Sequence, residues 1–517
     1  MLNFISFCAK KTNNFSFQKN YNKILCFFTI LTLCLLNTNL KANNLAIGTP
    51  TVVGANLAFT IQWDNSWNAS LTPSNWDGVW VFVKRQACSD NLWTHALVST
   101  VSGNHSITGA ILQVDAVTDG MGVFIRRSAV GNGNITVETV TLALQTAANG
   151  VDNFQVFGME VVNVPQGDFY IGDNGATGSG ASNWGFKSVL ITNAIQTAGI
   201  GTAGNYKSNG GWGSTAALPA AFPLGWNSFY CMKYEISQEQ YTSFLNSLTY
   251  TQQLVRTVNP ASAVGTIAFA SAATPSRNLI KIKTSGVAAI TPAVYGCDLN
   301  NNGTYNETDD GQNIACNWLS WADLIAYLDW AALRPMTEFE YEKVCRGASP
   351  AALTGEYAWS AVSLLQAESG ALTNAGQAGE VSTASGNGLC AYGINNTAKG
   401  PLRCGFAAGA ATNKIQAGGS WFGAMEMSGN IMEQCLGGYN FNYSAFTSAC
   451  GDGSLTAAGA ANTAEWPATG GGQGGGVGRG GDWFTITTQR LTISDVGYMT
   501  DNANQSRDRR FGGRGVR

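Results

Sequence analysis

Arg334-Pro335-Met336-Thr337-Glu338-Phe339-Glu340-Tyr341-Glu342-Lys343-Val344-Cys345-Arg346-Gly347 is the stretch that opens the chain to reading. Thr337 with Glu340 three residues on is a capping box, in which the cap hydroxyl takes an orphan amide and the acid reaches back. Tyr341 and Val344 continue at helical spacing and give the helix one apolar face. Working outward, Ser320 with Asp323 opens a second helix through Leu324, Tyr327 and Leu328, and Ser237 with Gln240 opens a third through Tyr241, Phe244 and Leu245. These helices lie among strand-like segments and long loops, which predicts an α+β domain. Glu235, Glu338, Glu340 and Glu342 sit at helix starts, where they are expected to cap amides or to pair with Arg334 and Arg346 rather than to transfer protons.

Six segments in order carry a family likeness. Tyr234-Glu235-Ile236-Ser237-Gln238-Glu239-Gln240-Tyr241 is close to "YEVTNxxY". Trp318-Leu319-Ser320-Trp321-Ala322-Asp323, then Ala326-Tyr327 and Trp330-Ala331, is close to "VSWxDAxAYxxWA". The opening stretch is close to "RLPTEAEWE", with Arg346-Gly347 completing it. Met425-Glu426-Met427-Ser428-Gly429-Asn430-Ile431-Met432-Glu433 matches "LYDMxGNVWEW", Arg479-Gly480-Gly481-Asp482-Trp483 matches "RGGSW", and Phe511-Gly512-Gly513-Arg514-Gly515-Val516-Arg517 is a variant of "GFRxVR". Over residues 155–517 the chain therefore resembles the formylglycine-generating-enzyme, or sulfatase-modifying-factor, family. The resemblance implies that family's variant of the C-type-lectin-like fold.

The family's enzymes use two cysteines just after the "GGS" segment for copper-dependent oxidation, chemistry that thiolates suit. Aligned on that segment, Thr485 and Arg490 fall at the two cysteine positions, and no cysteine follows Cys450. A hydroxyl and a guanidinium cannot replace two thiolates, so copper is not expected. A sister group pairs this fold with histidine-ligated iron. The only histidines here are His95 and His105, so iron is not expected either. The resemblance also implies structural calcium beside the "GNVWE" segment, where Asn430 and Glu433 match.

Before this region, residues 43–150 read as an all-β sandwich. Leu57–Trp63, Val79–Lys84, Ala110–Val114, Gly122–Arg126 and Ile135–Leu144 are short apolar stretches separated by Gly, Asn, Asp and Ser. A boundary is expected at Ala147–Asn153. Trp63, Trp67, Trp76, Trp80 and Trp93 are read as core and edge packing in preference to a carbohydrate platform, and the two histidines as surface or core residues. Asn174–Pro223 reads as loop. Gly470–Gly481 is either a mobile loop or backbone packed where no side chain fits. Residues 1–42 read as an export signal: Lys10, Lys11, Lys19 and Lys23 precede the apolar run Ile24–Leu36, with Ala42 at a plausible cleavage point. That run is short for a membrane span, so no transmembrane helix is expected in the mature chain. Leu33 before Cys34 departs from the small residue that a lipoprotein signal prefers.

The chain has 517 residues with 45% hydrophobic, 12% charged and 62 glycines, apolar enough for large cores. With a net charge of −3, nothing in the composition suggests the basic face that nucleic-acid binding needs. Export would favour disulfides. Nine cysteines lie beyond the signal, an odd set, and three sequence-neighbour pairs are expected: Cys297 with Cys316, Cys390 with Cys404, and Cys435 with Cys450.

One metal pattern stands apart. Asp298, Asn300, Asn302, Gly303, Thr304, Asn306 and Asp309 fall at positions 1, 3, 5, 6, 7, 9 and 12 of a calcium loop. Hard oxygen ligands at these positions wrap one cation, and Gly303 permits the sharp turn. The expectation is a protein of the outer cell surface, periplasm or medium. It carries structural calcium and a non-catalytic domain that binds a surface ligand, protein or glycan, or serves as a structural part. The alternative is a diverged enzyme with a non-cysteine site.

Overall fold

The computed structural model describes residues 44–88, 92–173, 186–201, 217–269, 275–348, 353–367, 370–393, 398–409, 411, 413–438, 441–468, 475–497 and 506–517. The expected export signal lies outside them. All three capping boxes form: Ser237 heads the helix Gln238–Leu245, Ser320 heads Trp321–Trp330, and Thr337 heads Glu338–Arg346. A fourth, unforeseen box has the same chemistry, Thr249 with Gln252 at the head of Tyr250–Leu254. The rest is mostly strand. Within the segment read as loop, a strand Val189–Ile191 and a helix Asn193–Ala198 form, the latter started by the Thr192 hydroxyl. Ile191 is fully buried, which ties this segment to the core.

The five N-terminal apolar stretches all become strands, with Asn56–Asn68 and Gly131–Ala143 longer than expected. They enter two sheets. Asn56–Asn68 and Gly131–Ala143 pair in a five-stranded sheet. Asp77–Gln86, Val123–Arg127 and Leu112–Ala116 belong to an eight-stranded sheet that continues through Asn153–Val164 and Phe229–Met232 to Gly515–Val516 and Arg334–Pro335. Residues Asn153 to Val162 pair antiparallel with Gln86 to Asp77 along ten positions. The strand that begins at the expected boundary is thus hydrogen-bonded to the N-terminal region along its length.

The strand Asp77–Gln86 is buried on both faces. Val79, Val81 and Val83 pack with Leu57, Phe59 and Ile61 of the five-stranded sheet. Trp80 and Phe82 join the main core with Tyr327, Trp330 and Leu333. Trp80 Nε1 donates to Ala331 O at 2.9 Å, and Lys84 Nζ donates to Trp330 O at 2.7 Å and Gly453 O at 2.5 Å. Lys84 therefore satisfies the last carbonyl of the helix Trp321–Trp330, while burial lowers its pKa well below the usual lysine range. Burying Trp80 and Phe82 contributes about 1.5–3 kcal/mol each. A continuous apolar run such as Val79–Val83 is what a strand covered on both faces requires.

Trp63 and Trp80 are core residues, and Trp76 donates to the Tyr230 hydroxyl at 3.1 Å. His95 and His105 are held by carbonyls, His95 Nε2 by Met121 and His105 Nε2 by Ser99, and burial lowers the pKa of both. Of the glycine-rich stretch, Gly476–Arg479 is a strand beside Met432–Leu436. A Cβ on Gly476 would lie 2.6 Å from the Trp321 ring, so this backbone packs where no side chain fits.

The three expected disulfides are not formed. Cys297, Cys316, Cys404, Cys435 and Cys450 all stand as thiols. Cys404 Sγ donates to Glu235 O and Cys390 Sγ to Ser428 O, while Cys316 Sγ accepts from Asn278 Nδ2.

Candidate functional site

Three groups of residues concentrate polar chemistry. The first is a set of buried ion pairs and hydrogen bonds that links five of the six sequence segments in two groups, 334–347 with 479–483, and 234–241 with 425–433 and 511–517. Glu340 binds Arg334 through two bonds of 2.6 and 2.8 Å, and Glu342 binds Arg346 at 2.6 Å, the partners expected from sequence. Arg479 from the Gly476–Arg479 strand adds bonds to Glu338 at 2.9 Å and Glu342 at 2.7 Å. Arg514 binds Glu433 at 2.7 Å. Glu235 accepts from Ile431 N at 2.9 Å and from Asn430 Nδ2 at 2.5 Å. Burial pushes Glu338, Glu426 and Glu433 up to about 7. Every charged member is at most 5% exposed, so these groups hold segments in place and meet no solvent. At the expected second calcium position, Asn430 Oδ1 accepts from Leu402 N at 2.7 Å, and Arg514 supplies the positive charge at Glu433.

The second group is Thr485 and Arg490, the positions at which the sequence reading expected the family's cysteines. Thr485 is buried, and its hydroxyl donates to Asp482 Oδ2 at 3.0 Å and accepts from Asp482 N at 3.2 Å. Burial pushes the Asp482 carboxyl up to about 6. Arg490, on a short 3₁₀ turn at Thr488–Leu491, faces Asp495 at 3.5 Å. A hydroxyl engaged by a carboxylate and a cationic guanidinium do not fit a copper ion, which selects thiolate or imidazole donors. A shallow polar depression lined by Ser99, Thr100, Asn104 and Gln145 lies in the N-terminal region and gathers no titratable group.

The third group is the loop 298–310. Gly303 has φ +82°, the left-handed turn that the calcium pattern asks of it. Asp298 Oδ1 accepts from Asn302 N at 3.0 Å, but Oδ2 is bound by Lys281 Nζ at 2.8 Å. Asn306 Oδ1 is turned back to Cys297 N at 2.9 Å. Thr304 uses its amide, which donates to Asn302 Oδ1. Asn300 Nδ2 donates to Asp309 Oδ1 at 3.0 Å, and Asn302 Nδ2 donates to Glu307 Oε2 at 2.6 Å. The loop thus brings Asn300, Asn302 and Asp309 together and leaves Thr304 and Asn306 aside. It also recruits Glu307 and Asp310, which the spacing pattern passed over. The acid-rich run Glu307-Thr308-Asp309-Asp310 was the available signal.

No curated protein matches this chain. The model of the sulfatase-modifying factor enzyme 1-like domain matches residues 158–517, beginning inside the strand Asn153–Val164. The matched region contains all six segments and the buried ion pairs described above. By that match over most of its length, the chain belongs to the sulfatase-modifying factor family.

Proposed function

We propose that this is an exported protein in which the family's domain binds a surface ligand or serves as a structural part, without oxidising cysteine. The observation that carries the reading is the state of Thr485 and Arg490, each engaged by a carboxylate where the reaction would need thiolates. The remaining thiols support it. Burial pushes Cys231 and Cys297 up to about 12 and raises Cys316, Cys345, Cys404 and Cys435, which suppresses the reactive thiolate. The N-terminal strands are read as a sandwich built onto one edge of the domain, and the loop 298–309 as the seat of a structural calcium ion. Export rests on the N-terminal residues alone. No helix among the described residues is long and apolar enough to cross a membrane.

The test is capture by the immobilised full chain from an outer-surface extract, with calcium or with chelator. Retention of a defined protein or glycan, independent of copper, is expected. Retention of nothing, together with turnover of a cysteine peptide, would contradict the reading.

A further inference from the structure

We propose that the loop holds one calcium ion between the carboxylates of Glu307, Asp309 and Asp310, not at the position-1 aspartate that the sequence pattern assigns. This rests on the reading of the loop as a calcium seat and moves that seat to its C-terminal half. Carboxylate oxygens of the three residues lie within 4.8 Å of one another. No basic side chain pairs with any of them among the described residues, whereas Asp298 is already neutralised by Lys281. Asp310 is fully buried, and among the described residues no donor stands within hydrogen-bond distance of its Oδ1. Its other oxygen accepts from Glu307 N at 2.7 Å.

Three carboxylates this close repel one another. Among the described residues the donors that face them are carboxamides and amides: Asn300 and Asn302 Nδ2, Glu307 N and the Asn300 backbone. A buried anionic oxygen without a donor is costly unless a cation meets it. Irregular, carboxylate-rich oxygen geometry at a part-exposed loop suits calcium rather than magnesium, which demands a regular octahedron. The Asn300 and Asn302 carboxamides hold the carboxylates together before the ion arrives.

The test is calcium titration of the purified full chain by calorimetry, with thermal melts in calcium and in chelator. Wild type is expected to bind in the range of about 10⁻⁴ to 10⁻³ M, typical of extracellular modules. Glu307→Gln and Asp310→Asn are expected to weaken binding about tenfold or more, because affinity follows the ligand charge count. Asp298→Asn should leave it within about threefold on the same principle. Glu307 is part-exposed, so its variant carries the test if Asp310→Asn does not fold. Loss of binding in Asp298→Asn with retention in Glu307→Gln would overturn this placement while leaving a calcium loop standing. Absence of any calcium response in wild type would overturn both.

Discussion

Phe82→Ala should destabilise the family domain even though Phe82 lies outside the matched residues. The side chain is fully buried. Its ring meets Trp330 edge-on at 5.1 Å and stacks on Phe157 at 5.3 Å and His95 at 5.8 Å. Truncation of a buried Phe to Ala costs about 3–5 kcal/mol through lost transfer energy and the cavity left behind. At a factor of ten per roughly 1.4 kcal/mol, amide protection limited by opening of this core falls by about 10² to 10³·⁵. The assay is native-state hydrogen exchange by mass spectrometry, following peptides from the helix Trp321–Trp330. Val81→Ala is the control, because Val81 faces the other core. Faster exchange throughout residues 321–330 in the Phe82 variant is expected. Acceleration confined to residues 44–150, with that helix unchanged, would refute the shared core.

Arg479→Met removes a guanidinium from between Glu338 and Glu342 and leaves two carboxylates buried, at an expected cost of about 3–5 kcal/mol. A stability loss below about 1 kcal/mol, taken as the urea midpoint shift multiplied by the m-value, would show that these pairs are not coupled to folding. For Glu426, burial pushes the carboxyl up to about 7, so the folded protein keeps a proton that the unfolded chain has lost above about pH 4.3. Its contribution is complete below that pH and is lost as pH rises through about 7. Glu426→Gln should therefore match wild type near pH 4 and exceed it at pH 8 by roughly 2–4 kcal/mol, read as a difference in denaturant midpoint. An advantage that is equal at both pH values would show that the carboxyl titrates normally.

The parts that were legible from sequence are those whose physics is local. A capping box is complete within four residues, so three helix starts were read, while the equally local box of Thr249 and Gln252 was passed over. Glu342 and Arg346 are one turn apart, and Arg334 is six residues from Glu340. The doubly buried strand showed in the unbroken run Val79–Val83, but its partner Asn153–Val164 is set by sheet pairing across some seventy positions, which no local pattern encodes. Arg479 reaches Glu338 and Glu342 across 141 and 137 positions, equally out of reach of sequence spacing. The calcium pattern located the loop but not its charge balance, because Lys281 arrives from a neighbouring strand to occupy Asp298. The disulfide expectation failed because spacing in sequence carries no information on the Cα separation and side-chain geometry that a disulfide requires.

The most direct test of a non-oxidising domain is to incubate the full chain with copper(I), oxygen, reductant and a sulfatase-type cysteine peptide, and to look for the aldehyde by mass spectrometry. With Thr485 bound to Asp482 and Arg490 facing Asp495, no aldehyde above the copper-free control is expected. Copper-dependent aldehyde from the wild-type chain, lost in Thr485→Ala, would contradict it.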